Sequence, residues 1–301
     1  MYFPKGYDDK LAIELGNLIV HAYDQFNSFE EKVHWDLPEE YELVSELTYN
    51  WKIFKAIDKN SKFDNYLKKI SLFGSKNEIE IPIGFIARKK NNIYIIFRGT
   101  QTVKEWINNL NTDLTRYFIQ EYGSVHDGFL EAYSDIRIKL SEELKKIERP
   151  KKIYIAGHSL GGAFATLALP DIEISLRMKI TALYTFGSPR IGDSTFVQRF
   201  NYSFAWKSFR IVNSTDIVTE IPFPIPIAGI VGGYFSHVDT PVIATEQLND
   251  MEENHDMKTY LGLLKKNTQK NIFSWLKEKI LLLSSSGIVL IFFSCMYLRQ
   301  A

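Results

Sequence analysis

The sequence predicts an α/β fold with a mixed, mostly parallel central sheet flanked by helices. Short apolar runs such as Ile93-Tyr-Ile-Ile-Phe and Ile153-Tyr-Ile-Ala have strand length and strand composition. Longer stretches of helical spacing alternate with them, and glycine or polar turn residues mark the junctions. At 301 residues the chain can bury a large core. One domain is expected over residues 1–265, followed by a basic linker and an apolar helix over 266–301.

Leu11–Phe26 carries the apolar spacing of an amphipathic helix. Residues 27–77 mix Lys/Glu-rich pieces that support no assignment. Ile83–Ala87 and Ile93–Phe97 are expected as two strands of a hairpin turning at Arg88-Lys-Lys-Asn-Asn. Phe129–Ile147 has a helical pattern. Ile153–Ala156 is a short buried strand, and the small-residue stretch Gly161–Leu169 is the next helix. Thr181–Phe186 and Phe209–Val212 are further strands, and Tyr234–Ile243 is expected as a strand after a loop.

Lys+Arg and Asp+Glu both number 36, so no global charge favours nucleic acid as a partner. A single cysteine, Cys295, excludes an intrachain disulfide framework and fits a reducing compartment. The first ten residues lack a basic region followed by an apolar one, so a cleaved signal peptide is not expected. Residues 280–298, ILLLSSSGIVLIFFSCMYL, are uncharged and just long enough to span a hydrocarbon core of about 30 Å. They are expected to anchor the chain in a membrane or to pack as a surface helix. The lysines before them would leave the preceding domain in the cytosol.

The chemistry-bearing signal is Gly157-His-Ser-Leu-Gly161, a G-x-S-x-G motif between an apolar strand and a helix start. A strand-to-helix turn this tight excludes β-carbons beside the serine, lifts Ser159 clear of the sheet and aims free N–H groups at it. A serine nucleophile needs a base, and this motif supplies it in the chain order Ser, Asp/Glu, His. Asp216 lies a few residues past a strand end, where loops present functional groups, and Asp193 is the second candidate. Of six histidines, His237 and His255 lie well downstream of Ser159. His255, at a loop-to-helix junction, is the better placed of the two, but composition does not decide between them.

Several motifs together resemble the class 3 (fungal-type) lipase family over roughly residues 81–264. They are Ile95-Ile-Phe-Arg-Gly-Thr, Val125-His-Asp-Gly-Phe, Gly157-His-Ser-Leu-Gly-Gly-Ala, Thr185-Phe-Gly-Ser-Pro-Arg-Ile-Gly and Asn213-Ser-Thr-Asp-Ile-Val-Thr-Glu-Ile-Pro. The resemblance implies an α/β-hydrolase fold and a triad of Ser159, Asp216 and His255, with His237 not the base. It implies that the N–H groups of Thr100 and Leu160 form an oxyanion hole. Arg98 is expected as a structural ion-pair partner. Val103, Trp106, Ile107, Leu110 and Leu114 fall on one helical face, where the family carries a lid; Trp106, Ile107 and Leu110 are expected to face substrate as a lid or acyl-site wall, the alternative being a fixed core helix. The proline-broken apolar loop at residues 221–231 is expected to line an acyl cleft, to dip into a lipid surface or to be buried.

The expected reaction is hydrolysis of a lipid carboxylic ester through an acyl-enzyme. No metal or organic cofactor is implied, since no ligand spacing such as H-E-x-x-H occurs. An esterase of small soluble esters or a peptidase would use the same triad, and a phospholipase or acyltransferase would differ only in head group or acceptor. A non-catalytic binding protein of the same shape predicts a missing triad member, and all three candidates are present. The oligomeric state is not legible.

Overall fold

The computed structural model describes residues 4–50, 80–100, 107, 112–148, 150–223, 234–238 and 240–268. The expected apolar helix at 280–298 lies outside them. Among the described residues no helix is long and apolar enough to cross a membrane.

Helix α1 spans Asp9–Glu31 and is capped by the Asp8 carboxylate, which accepts from the N–H groups of Lys10 and Leu11. Three strands follow: β1 (Glu42–Asn50), β2 (Glu80–Lys89) and β3 (Asn92–Phe97). The β2–β3 hairpin turns on Lys90 and Asn91, with Lys90 at φ 57°. A small ribbon pairs β4 (Leu114–Arg116) with β5 (Ser124–His126) and runs into helix α2 (Asp127–Lys146). Then come β6 (Lys152–His158), α3 (Leu160–Pro170), β7 (Ala182–Phe186), α4 (Ser194–Phe204), β8 (Ser208–Asn213) and β9 (Thr240–Ala244). A short helix, α5 (Met251–His255), precedes a longer one, α6, over 257–268.

The main sheet has seven strands in the order β1-β2-β3-β6-β7-β8-β9. The first two pairings are antiparallel and the remaining four are parallel. Strand side chains alternate between faces, and both faces are covered, so the central strands read as unbroken apolar runs. Ile95, Phe97, Ile155 and Leu183 pack with Phe129 and Tyr133 of α2 and Phe164 of α3 on one side. Tyr94, Ile96, Ala156, Tyr184 and Phe186 pack with Leu15 and Ile19 of α1 and with Met257, Tyr260 and Leu261 of α6 on the other. Each fully buried Leu, Ile, Phe or Met among them contributes about 1.5–3 kcal/mol relative to exposure.

Two sequence expectations need correction. Leu114 begins strand β4, paired with His126 across the ribbon, and so leaves the helical face proposed for 103–114. His237 precedes β9, which begins at Thr240; its neighbour Ser236 makes only an isolated bridge to Gly192.

Candidate active site

The parallel strands all run toward one edge, and every sequence-singled functional segment begins there. Phe97 ends β3 before Arg98-Gly-Thr100, and His158 ends β6 before Ser159. Phe186 ends β7 before Gly187, Asn213 ends β8 before Asp216, and Ala244 ends β9 ahead of His255. Loops beyond the carboxyl ends of such strands are where α/β sheets assemble sites.

Ser159 stands between β6 and α3 at φ 57° and ψ −128°, a conformation that costs an L-residue of order 1–3 kcal/mol. Glycine makes the turn possible. A β-carbon on Gly157 would come within 2.0 Å of the Gly161 carbonyl oxygen, and one on Gly161 within 2.4 Å of the Arg98 carbonyl oxygen. The turn is held by the Ser159 N–H donating to Phe186 O at 2.9 Å and by Gly162 N–H donating to Ser159 O at 2.8 Å. Ser159 is buried, and its Oγ has no hydrogen-bond partner among the described residues.

His255 and Asp216 are joined directly. The His255 Nδ1 donates to Asp216 Oδ2 at 2.6 Å, with both side chains buried. The same oxygen accepts from the Tyr260 hydroxyl at 2.6 Å, and Asp216 Oδ1 accepts from Val218 N–H at 2.9 Å. The carboxylate is thereby locked, and the Nδ1 proton fixes the imidazole with Nε2 free to act as a base. His255 Nε2 has no partner among the described residues. Gly187 keeps space beside this pair: a β-carbon there would lie 2.9 Å from both Asp216 Oδ2 and His255 Cε1.

The other two acid and base candidates are occupied elsewhere. Asp193 caps α4, accepting from Phe196 N–H at 2.8 Å and from Ser124 N–H at 2.9 Å. The His237 Nε2 bonds the Thr219 carbonyl at 2.6 Å, and burial, with Arg210 nearby, lowers its pKa to about 3.

Thr100 is buried, and its Oγ1 lacks a partner among the described residues. The preceding Gly99 backs onto the serine, since a β-carbon there would lie 2.5 Å from Ser159 Cβ. Leu160 is the first residue of α3, a position whose N–H has no intrahelical acceptor. Among the described residues Arg98 pairs with no carboxylate, contrary to the ion-pair expectation. Its buried guanidinium donates to two backbone carbonyls, Pro82 O at 2.9 Å and Gly99 O at 2.6 Å, and stacks 3.8 Å above the Phe26 ring.

Of the expected lid residues, Ile107 is helical, partly buried and packed against the α2–α3 side of the core. Trp106 and Leu110 lie outside the described residues. In the loop at 221–231, Ile221 is buried and Phe223 is exposed, and the described residues stop there.

Sequence reasoning gave no role to the tyrosines that support this site. Tyr23 on α1 accepts from Gly99 N–H at 2.9 Å and reaches His158 Nδ1 at 2.7 Å, while Tyr260 on α6 holds Asp216. The available signal was a tyrosine on the apolar face of an amphipathic helix, whose buried hydroxyl must find a partner.

Residues 94–225 match the family described as lipase (class 3). A lipase of Rhizomucor miehei is 34% identical over 140 residues, covering 44% of this chain and 38% of that protein. A chloroplastic phospholipase A(1) of Arabidopsis thaliana is 33% identical over 153 residues, covering 44% of this chain and 34% of that protein. The chain thus spans a little over a third of the length of these curated relatives. Among solved structures, a lipase from Rhizopus microsporus var. chinensis aligns with TM-score 0.54 and 25% identity over 79% of this chain and 75% of that chain. The seven-stranded sheet, the serine turn and the match over 94–225 together give this chain an α/β-hydrolase fold whose central segment is similar to the class 3 lipase family.

Proposed function

We propose that this chain is a carboxylic ester hydrolase acting on lipid esters, an acylglycerol lipase or A-type phospholipase, with Ser159 as nucleophile. One observation carries the reading. A strained, unpartnered serine shares a sheet edge with an imidazole whose Nδ1 is bound by a carboxylate and whose Nε2 is free.

In the proposed cycle Ser159 Oγ attacks the ester carbonyl carbon while His255 Nε2 takes its proton. Asp216 keeps the tautomer and stabilises the imidazolium. The carbonyl oxygen, now an oxyanion, is held by the N–H groups of Thr100 and Leu160, each worth about 3–4 kcal/mol when removed. His255 returns the proton to the departing alcohol, leaving Ser159 acylated. Water then repeats the sequence, releasing the fatty acid and the free serine.

Lipid as substrate class rests on the relatives and on the apolar sequence of segments 103–114, 221–231 and 280–298. Trp106, Ile107 and Leu110 are proposed as a lid or acyl-site wall, and residues 280–298 as a segment that keeps the domain at a bilayer. Ser159 and His255 are both almost wholly buried, so a substrate needs such an opening to reach them.

The test compares hydrolysis of matched long- and short-chain glycerolipid esters by wild type and Ser159→Ala. Cleavage of long-chain lipid by wild type, with a loss of about 10⁴–10⁶-fold in the variant, supports the reading. Folded wild type that is inert on every ester would instead make this a binding protein of lipase shape.

A further inference from the structure

We propose that Arg98 is a positioning residue that strengthens the oxyanion donor at Thr100 through the peptide bond joining Gly99 to Thr100. The inference rests on the proposed role of the Thr100 N–H.

The carbonyl of Gly99 and the N–H of Thr100 belong to one conjugated amide. Arg98 Nη1 donates to Gly99 O at 2.6 Å, a short, charge-assisted bond. A cation on the oxygen draws electron density from the amide nitrogen, and the attached N–H becomes a stronger donor. The guanidinium is 1% exposed, so water does little to screen it. Among the described residues no carboxylate neutralises it at ion-pair distance; Glu30 acts on it only from further away. It also contacts the Pro82 carbonyl, the Phe26 face and the neutral Tyr49 hydroxyl, which fix its orientation without cancelling its charge.

Leaving a cation buried without an anion is costly, and a purely structural tie between two carbonyls would not require one. The peptide it touches borders the nucleophile, with the β-carbon position of Gly99 only 2.5 Å from Ser159 Cβ. The peptide before it is pinned as well, its Gly99 N–H donating to the Tyr23 hydroxyl at 2.9 Å. Arg98 touches no substrate atom in this arrangement and acts through the Gly99–Thr100 amide, whose oxygen it holds.

Gly99-Thr100 is the one Gly-Thr step in the sequence. Protein labelled with carbonyl-¹³C glycine and ¹⁵N threonine should therefore give a single HNCO cross-peak, reporting the amide in question. We expect a downfield Gly99 carbonyl and Thr100 amide proton in wild type, both moving upfield in Arg98→Gln and much less in Arg98→Lys. In acylation by a cinnamoyl ester, Arg98→Gln should lower kcat about tenfold with KM little changed, short of the 10²–10³-fold that follows removal of a whole donor. The carbonyl stretch of its acyl-enzyme should rise in frequency as the hydrogen bond weakens. Unchanged kcat and carbonyl frequency in a folded Arg98→Gln overturn the inference and leave the serine-hydrolase reading standing. Failure of wild type to acylate at Ser159 overturns both. If Arg98→Gln does not fold, the wild-type cross-peak decides, and a Gly99 carbonyl at the position of an unbonded glycine refutes the proposal.

Discussion

The imidazoles of His158 and His255 lie with ring centroids 4.5 Å apart, yet only His255 reaches a carboxylate. The Tyr23 hydroxyl accepts from Gly99 N–H, so its own proton points to His158 Nδ1, and His158 Nε2–H donates to the His255 carbonyl at 2.7 Å. Burial, followed by the neighbouring His255, pushes the His158 pKa well below the usual imidazole range. His158 thus stays neutral and steadies the backbone of the proposed base. His158→Phe keeps the ring but loses both bonds, and kcat/KM should fall about tenfold, in line with about 1 kcal/mol for such a bond. A loss as deep as that of Ser159→Ala would mean that His158 takes the proton itself.

Tyr260 and His255 share one oxygen of Asp216, which separates two effects. Asp216→Asn should lower kcat about 10⁴-fold, because the amide no longer enforces the tautomer that leaves Nε2 basic. Tyr260→Phe removes a bond to a charged acceptor worth about 1.5–3 kcal/mol, so a loss of about 10–100-fold is the ceiling. Steady-state kcat on one ester for both variants checks the order. Equal losses would make Tyr260 as necessary as the carboxylate.

The serine turn was legible because its glycines and the strand before it are local features, and β3, β6, β7 and β8 were legible because buried parallel strands are apolar throughout. Strand β1 was not, since Glu42, Ser45, Glu46, Thr48 and Asn50 give an edge strand no apolar signature. Helix α4 went unread although Phe196, Phe200 and Phe204 form its buried stripe, because Asp193 drew attention as a candidate acid when it is the helix cap. The supporting contacts of Tyr23 with His158 and of Tyr260 with Asp216 span 135 and 44 positions, and no local pattern encodes a partner at that distance. Arg98 was misread for the same reason: its acceptors are carbonyls, which sequence does not display.

Two glycines should respond oppositely to alanine. Gly187 sits at φ 54°, where a β-carbon costs about 1–2 kcal/mol and would press on Asp216 and His255. Gly187→Ala should therefore lose more activity than its modest drop in melting temperature explains. Gly262 lies within α6 with open space around its β-carbon position, so Gly262→Ala should add about 0.5–1 kcal/mol of stability. Thermal melts and ester hydrolysis on the two purified variants read both effects. Retained activity in Gly187→Ala would show that the Asp216–His255 pair tolerates displacement.

Acid stability should be governed in part by the two buried imidazoles, His158 and His237. Both have folded-state pKa values below the unfolded value of about 6.5, and that of His237 is pushed down to about 3 by burial, with Arg210 adding to it. As pH falls below about 6.5 the unfolded chain takes up protons that the folded chain refuses, so stability falls with pH through that window. Each imidazole contributes a slope of up to about 1.4 kcal/mol per pH unit, and the contribution of His237 continues down to about pH 3. His237→Gln can still donate to the Thr219 carbonyl but cannot titrate. Urea unfolding of wild type and His237→Gln between pH 7.5 and 4.5 should give a shallower decline for the variant. Carboxylates titrate in both proteins and cancel in the comparison, so parallel declines would mean that His237 is not held neutral in the folded state.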